Sequence, residues 1–167
     1  DVDDWSRLKG ISKSEYVIIT PKFDGLSLCV NEATSEAWTR GDGEFGQKSN
    51  EHYKLIGNHL DSNTHRDILR SFEFTYGEVM MSKKTFLDKY SMDFANPRNF
   101  VAGLLNSPDA RHSLTDCNYI KYGAVVNKDY YNTKQDLIES LNACQEVKVQ
   151  YHICKISELT EDLLISL

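Results

Sequence analysis

Residues 16–30 read Tyr-Val-Ile-Ile-Thr-Pro-Lys-Phe-Asp-Gly-Leu-Ser-Leu-Cys-Val: an apolar β-branched run, a proline, a charged step, and a second run alternating apolar with small polar residues. β-Branched side chains suit a pleated surface, so residues 16–20 read as a buried strand that Pro21 ends or edges, since proline brings no N–H to a ladder. Residues 26–30 read as the next strand. Residues 36–40, Glu-Ala-Trp-Thr-Arg, read as its antiparallel neighbour, because the connection 31–35 is hairpin-short.

Outward from this core, Trp5 and Leu8, spaced by three, predict a short amphipathic opening segment. Residues 41–50 read as a glycine-rich loop, 53–60 as weakly helical and 61–64 as a surface turn. Phe72, Phe74 and Tyr76 at period two predict a strand over 71–81 ending near Glu78, followed by a helix over 83–90. Pro97 introduces a helix over 99–105, 119–126 reads as a strand, and Thr133 caps a helix carrying Leu137, Ile138 and Leu141. Val147, Val149, Tyr151 and Ile153 alternate as a strand, and a last helix starts at Ser157 or Thr160. Strands outnumber strand-helix-strand alternations, so the expected architecture is α+β, mainly antiparallel sheets with flanking helices, in one domain over 1–167. No Gly-x-Gly-x-x-Gly follows a first strand, which leaves Rossmann binding unsupported.

Composition narrows the function. The 167 residues carry 19 Lys and Arg against 25 Asp and Glu, a formal charge of −6, so the overall field does not wrap nucleic acid and any polyanion contact is local. No apolar run approaches a membrane span, and no leader pattern is visible. The expected location is the cytoplasm, or host cytoplasm for a viral source. A start at Asp1 suggests an excised piece. Cys29, Cys117, Cys144 and Cys154 form no Cys-x-x-Cys pair, and no two histidines stand at a helical metal-ligand spacing, so free thiols and no metal site are expected.

Four short motifs carry chemistry. Lys22-Phe23-Asp24-Gly25 follows an apolar strand, where a lysine can emerge at a pocket; extended backbone would turn Asp24 to the same side. A lysine amine, ordinarily near pKa 10.4, must lose its proton to attack phosphorus, and desolvation or nearby cations promote that. A surface Lys-Asp pair at a turn is the simpler alternative. Thr39-Arg40-Gly41-Asp42-Gly43-Glu44-Phe45-Gly46 sets glycines around an arginine whose fork suits phosphate, or it is a hairpin tip. Glu78 in Tyr76-Gly77-Glu78-Val79 can accept ribose hydroxyls, or is a solvated strand-end acid. Asn96-Pro97-Arg98-Asn99 offers exposed amides and a guanidinium to an anion, or simply caps a helix.

Taken in this order, with Ala102-Gly103 behind the last and Tyr122-Gly123 further on, the motifs resemble the adenylation domain of the NAD-dependent DNA ligases of bacteria and their viruses. The resemblance is clear over 16–126 and fades toward Ile153. It implies a ligase/nucleotidyltransferase-like (ATP-grasp-like) fold. It also implies that Lys22 attacks the α-phosphorus of NAD, releases nicotinamide mononucleotide and holds AMP through a phosphoramidate. Catalysis then falls to Lys22 and Asp24. Lys22, Asp24, Gly25, Arg40, Glu78 and Arg98 contact the nucleotide: Asp24 and Glu78 serve the ribose and the lysine, Arg40 the phosphate or nicked end, and Arg98 the phosphates. The AMP passes to the 5′-phosphate of nicked double-stranded DNA, Mg2+ assists, and the 3′-hydroxyl seals the nick, as in DNA repair and replication.

The chain also departs from the pattern. Thr20 stands where most members place the glutamate that reads adenine, and Asn106 where they place a second arginine, for which Arg111 is a candidate substitute. The later Asp-Gly-Val-Val-Ile-Lys strand and a further lysine are missing, so the chain reads as a partial adenylation domain, cut from a longer protein or completed by a second chain. Two alternatives stand beside this reading. One is an ATP-dependent ligase-type nucleotidyltransferase, and the other is a non-catalytic nucleotide-binding remnant.

Overall fold

The 31–35 hairpin is set by one side chain. Asn31 Oδ1 accepts from the backbone N–H of Ala33 at 3.1 Å and of Thr34 at 3.0 Å, and Ser35 takes the left-handed conformation (φ 57°) that closes the turn. This seats β2 (Leu26–Asn31) antiparallel to β3 (Glu36–Thr39), as the pattern predicts. The computed structural model describes residues 2–41, 44–56, 67–126 and 131–167. Its described residues divide into two compact units, one from Asp1–Lys22 with Gln150–Leu167, the other Phe23–Val149.

In the larger unit four strands lie in the order β3-β2-β4-β5, every pair antiparallel, with β4 (Phe72–Met81) and β5 (Cys117–Val126) each ten residues long. The α+β expectation holds. β4 runs three residues past the expected end at Glu78, because Val79, Met80 and Met81 keep partners on β5. One sheet face buries Leu28, Val30, Ala37, Val79, Met81 and Tyr119. Against that core pack α2 (Asn50–Leu55), α3 (Lys83–Lys89) and α4 (Pro97–Leu105). The weakly helical stretch expected over 53–60 is thus centred earlier, and residues 57–66, which include the expected turn, lie outside the described residues.

Local chemistry explains α4. Asn96 accepts from Asn99 N–H at 2.8 Å, Pro97 occupies the first turn, and Phe100, Val101, Leu104 and Leu105 form one buried stripe. Each of these larger side chains is worth roughly 1.5–3 kcal/mol when withdrawn from water. The helix α5 (Lys134–Ala143) starts at the predicted cap: Thr133 and Asp136 form a reciprocal capping box, and Leu137, Ile138 and Leu141 are buried.

The alternation of Val147, Val149, Tyr151 and Ile153 does not make one strand. The Asn142 side chain donates to Val149 O at 3.0 Å and accepts from Val149 N–H at 2.8 Å, occupying both groups a strand partner would use. Only His152–Lys155 pairs, as β6. Gln145 does the same for the sheet edge. Fully buried, it accepts from Lys121 N–H at 2.7 Å and donates to Lys121 O at 3.0 Å, closing β5 in place of a fifth strand. Gln145→Leu leaves two buried backbone groups unpaired. It is expected to lower stability by about 2–4 kcal/mol, read as a urea midpoint shift at unchanged slope.

The smaller unit pairs β1 (Tyr16–Ile19) with β6, from Tyr16↔Lys155 to Ile19↔His152, and carries α1 (Val2–Lys9) and α6 (Glu161–Ser166). Thr160 caps α6 by accepting from Leu163 N–H at 3.1 Å, while Ser157 falls in a 3-10 turn. Two expectations are corrected. β1 is not buried: Tyr16 is 68% exposed and its other residues are half-buried, since among the described residues it pairs only with β6. In α1 it is Ser6 that is buried, whereas Trp5 and Leu8 are 42% and 80% exposed. The four cysteines are free, and burial raises every thiol, Cys117 to about 12. Among the described residues no helix is long and apolar enough to cross a membrane.

Candidate functional site

The face of the larger sheet opposite its core carries Ser27, Cys29, Trp38, Tyr76, Glu78 and Tyr122, none of them fully buried. Ser27 pairs with Glu78 and Glu78 with Ile120, so these side chains form a row across the strands. Thr39 opposes Leu28; carried one residue further, that register sets Arg40 at the end of the same row.

A register shift between Tyr76 and Gly77 inserts Tyr122 as an extra residue in β5. Tyr76 therefore opposes Gly123, whose absent side chain makes room: a Cβ there would lie 2.1 Å from the Tyr76 ring. Tyr122 stacks on Phe23 (ring centroids 6.1 Å, 18° between planes) and meets Tyr76 edge-on at 5.8 Å. Its phenol donates to Glu78 Oε1 at 3.5 Å. Burial raises the phenol's pKa, the Ser27 hydroxyl acts against that by hydrogen bonding, and the Glu78 charge raises it further. The group therefore remains a donor at neutral pH.

Asp24 and Arg98 are brought together. Arg98 Nη1 donates to Asp24 Oδ1 at 2.7 Å, both groups being exposed, so the pair is worth only ~0–1 kcal/mol. Arg98 stands at the start of α4, one residue after Pro97. Gly25 is buried against β4, and a Cβ on it would fall 2.3 Å from the Val79 carbonyl oxygen, which only glycine permits.

Lys22 is exposed and closes the other unit; Asp24 belongs to the larger one. Neither sits on a strand, since β1 ends at Ile19 and β2 begins at Leu26, so the extended-strand alignment of 22 with 24 is corrected. Just before Lys22, Ile19, Thr20 and Pro21 line a cleft of about 570 Å3 with Gln150, Tyr151 and His152. That volume lies in the range of small-molecule sites.

Arg40 is exposed directly after β3, and the following loop folds back on that strand. Thr39 N–H donates to Gln47 O at 2.9 Å, and Ser49 N–H to Ala37 O at 2.7 Å. Asp42 and Gly43, within the glycine-rich motif, lie outside the described residues. Asn106 caps the C-terminal end of α4, and both it and Arg111 are exposed. His52 is buried, with Nε2 2.9 Å from Ser107 O. His59 and His65 are not among the described residues.

Sequence reasoning singled out neither Ser27 nor the ring contacts of Phe23 and Tyr76. The available signal was a small polar residue alternating with core apolar ones in β2, which marks the face away from the core.

The chain belongs to the NAD-dependent DNA ligase adenylation domain family, whose model matches residues 2–164. It is similar to a DNA ligase of Acanthamoeba polyphaga mimivirus, 37% identical over 117 residues, covering 67% of this chain and 18% of that protein. A DNA ligase of Neisseria meningitidis serogroup C is 37% identical over 138 residues, 76% of this chain and 16% of the relative. One from Rickettsia massiliae is 31% identical over 158 residues, 86% and 21%. The chain thus spans at most 21% of the length of these curated relatives.

Proposed function

We propose that this chain is a partial adenylation domain, of ligase/nucleotidyltransferase-like (ATP-grasp-like) fold, serving an NAD-dependent DNA ligase in repair and replication. The observation that carries the reading is the order of Lys22-Phe23-Asp24-Gly25, Thr39-Arg40-Gly41, Gly77-Glu78-Val79 and Asn96-Pro97-Arg98-Asn99 within the family match over 2–164. Lys22 is the nucleophile. Its deprotonated Nζ forms a bond to the α-phosphorus of NAD, the bond from that phosphorus to the bridging oxygen breaks, and the electron pair leaves with nicotinamide mononucleotide.

Glu78 accepts the ribose hydroxyls, and the Tyr122 ring offers the base an apolar surface. Gly25 lets the chain lie close to β4. A guanidinium carries five donors, so Arg98 can hold Asp24 through Nη1 and still present others to a phosphate. Asp24, held in this way by Arg98, serves the ribose and the lysine chemistry, while Arg40 takes the phosphate or the nicked end. The AMP moves to the 5′-phosphate of nicked double-stranded DNA, and attack by the 3′-hydroxyl releases it as the strand is sealed. These are phosphoryl-type transfers, in which positioning and charge neutralisation do most of the catalysis.

The Mg2+ that the family implies finds no group of three or more His, Cys, Asp or Glu side chains among the described residues. No step above is routed through it. The test is incubation with α-labelled NAD and, separately, α-labelled ATP, alone and beside a chain bearing the later motifs. Acid-labile label on Lys22 from NAD is expected. Label from ATP alone would move the chain to the ATP-dependent class, and nucleotide binding with no covalent product in any arm would leave a binding remnant.

A further inference from the structure

Glu78 does not sit by itself on its sheet face. A glutamate's terminal torsion is broad and roughly two-fold, so an unrestrained carboxylate samples many planes, whereas recognition of a vicinal diol requires one. Here the restraint is a hydroxyl from the neighbouring strand. The Tyr122 phenol donates to Glu78 Oε1 at 3.5 Å, and Ser27 lies directly opposite Glu78 on β2. Tyr122 is itself held on two sides by Phe23 and Tyr76, and the register shift that inserts it into β5 gives it a place beside Glu78.

We propose that Tyr122 is a positioning residue for Glu78, and that its hydroxyl sets the preference for a ribose over a 2′-deoxyribose in the nucleotide donor. The inference rests on the adenylation reading above and extends it to a residue whose hydroxyl touches no reacting atom. The ring of Tyr122 can serve as an apolar surface with or without its oxygen, which makes the two roles separable by one atom.

The test compares covalent adenylation of the protein, at its full natural length, by NAD and by its 2′-deoxyadenosine analogue. The wild type is expected to prefer NAD by about tenfold or more in kcat/KM, the scale of a hydrogen bond to a charged group. Tyr122→Phe is expected to cut that preference by about fivefold, through a higher KM for NAD and with little change for the deoxy analogue. If the variant loses rate equally on the two donors, the hydroxyl is merely structural and the proposal is overturned while the adenylation reading stands. A wild type that adenylates without preferring the ribose also overturns it. A wild type that forms no adenylate under any condition overturns both.

Discussion

Lys22→Arg is expected to abolish covalent adenylation, lowering labelled product by at least about a thousandfold, the scale of removing an enzymatic nucleophile. Arginine keeps the charge and most of the length, so phosphate attraction survives. What is lost is the capacity to shed a proton, because the guanidinium stays protonated at any accessible pH and has no nitrogen lone pair to offer phosphorus. The variant therefore separates a nucleophile from a bystanding cation. Measured as label retained on the denatured chain, product above a tenth of the wild-type level would remove Lys22 from the chemistry. Binding of the nucleotide should change far less than the covalent yield, since Glu78, Arg98 and the Tyr122 ring are untouched.

The second large effect is on stability. Lys121 and Glu32 have side chains only 4% and 5% exposed, with Nζ 4.0 Å from Oε1, in a pocket where Thr75 donates to Glu32 at 2.5 Å and Tyr53 at 3.4 Å. Lys121 also lies 5.1 Å from the centre of the Tyr119 ring. Lys121→Met leaves a buried carboxylate without its cation, and the expected loss is about 3–5 kcal/mol. For a chain of this size that is a fall in Tm of roughly 10 °C. Adding Glu32→Gln removes the stranded charge and keeps an acceptor for Thr75, so the double variant should recover most of the loss. If Lys121→Met alone unfolds within about 1 kcal/mol of wild type, the pair is not desolvated in solution.

This ion pair shows where the sequence stops being readable. Lys121 lies in a strand recognisable from Tyr119 to Val126, but nothing local says that its side chain turns to the core face or that Glu32, across the β2–β3 hairpin, will meet it. The same holds for Gln145 and Asn142. Each is an ordinary polar residue at the end of a helix, and each substitutes for a strand by pairing with a distant backbone. That is why the alternation after Val147 misled. Period two reports which residues could line a face, whereas pairing depends on which groups arrive opposite.

By contrast, wherever the deciding interaction spans a few residues, sequence and structure agree. Asn31 closing its hairpin, Asn96 and Pro97 opening α4, Thr133 and Asp136 boxing α5, and Thr160 capping α6 all lie within three residues of what they organise. The order of the nucleotide motifs was equally legible, as were the α+β class and the family. Tertiary structure alone decided that Arg98 takes Asp24, that Tyr122 and Ser27 stand beside Glu78, and that Lys121 is buried. Local hydrogen bonds and side-chain period are properties of a short segment, while the partner of a charge or a hydroxyl is chosen only when segments far apart in the chain are folded onto one sheet.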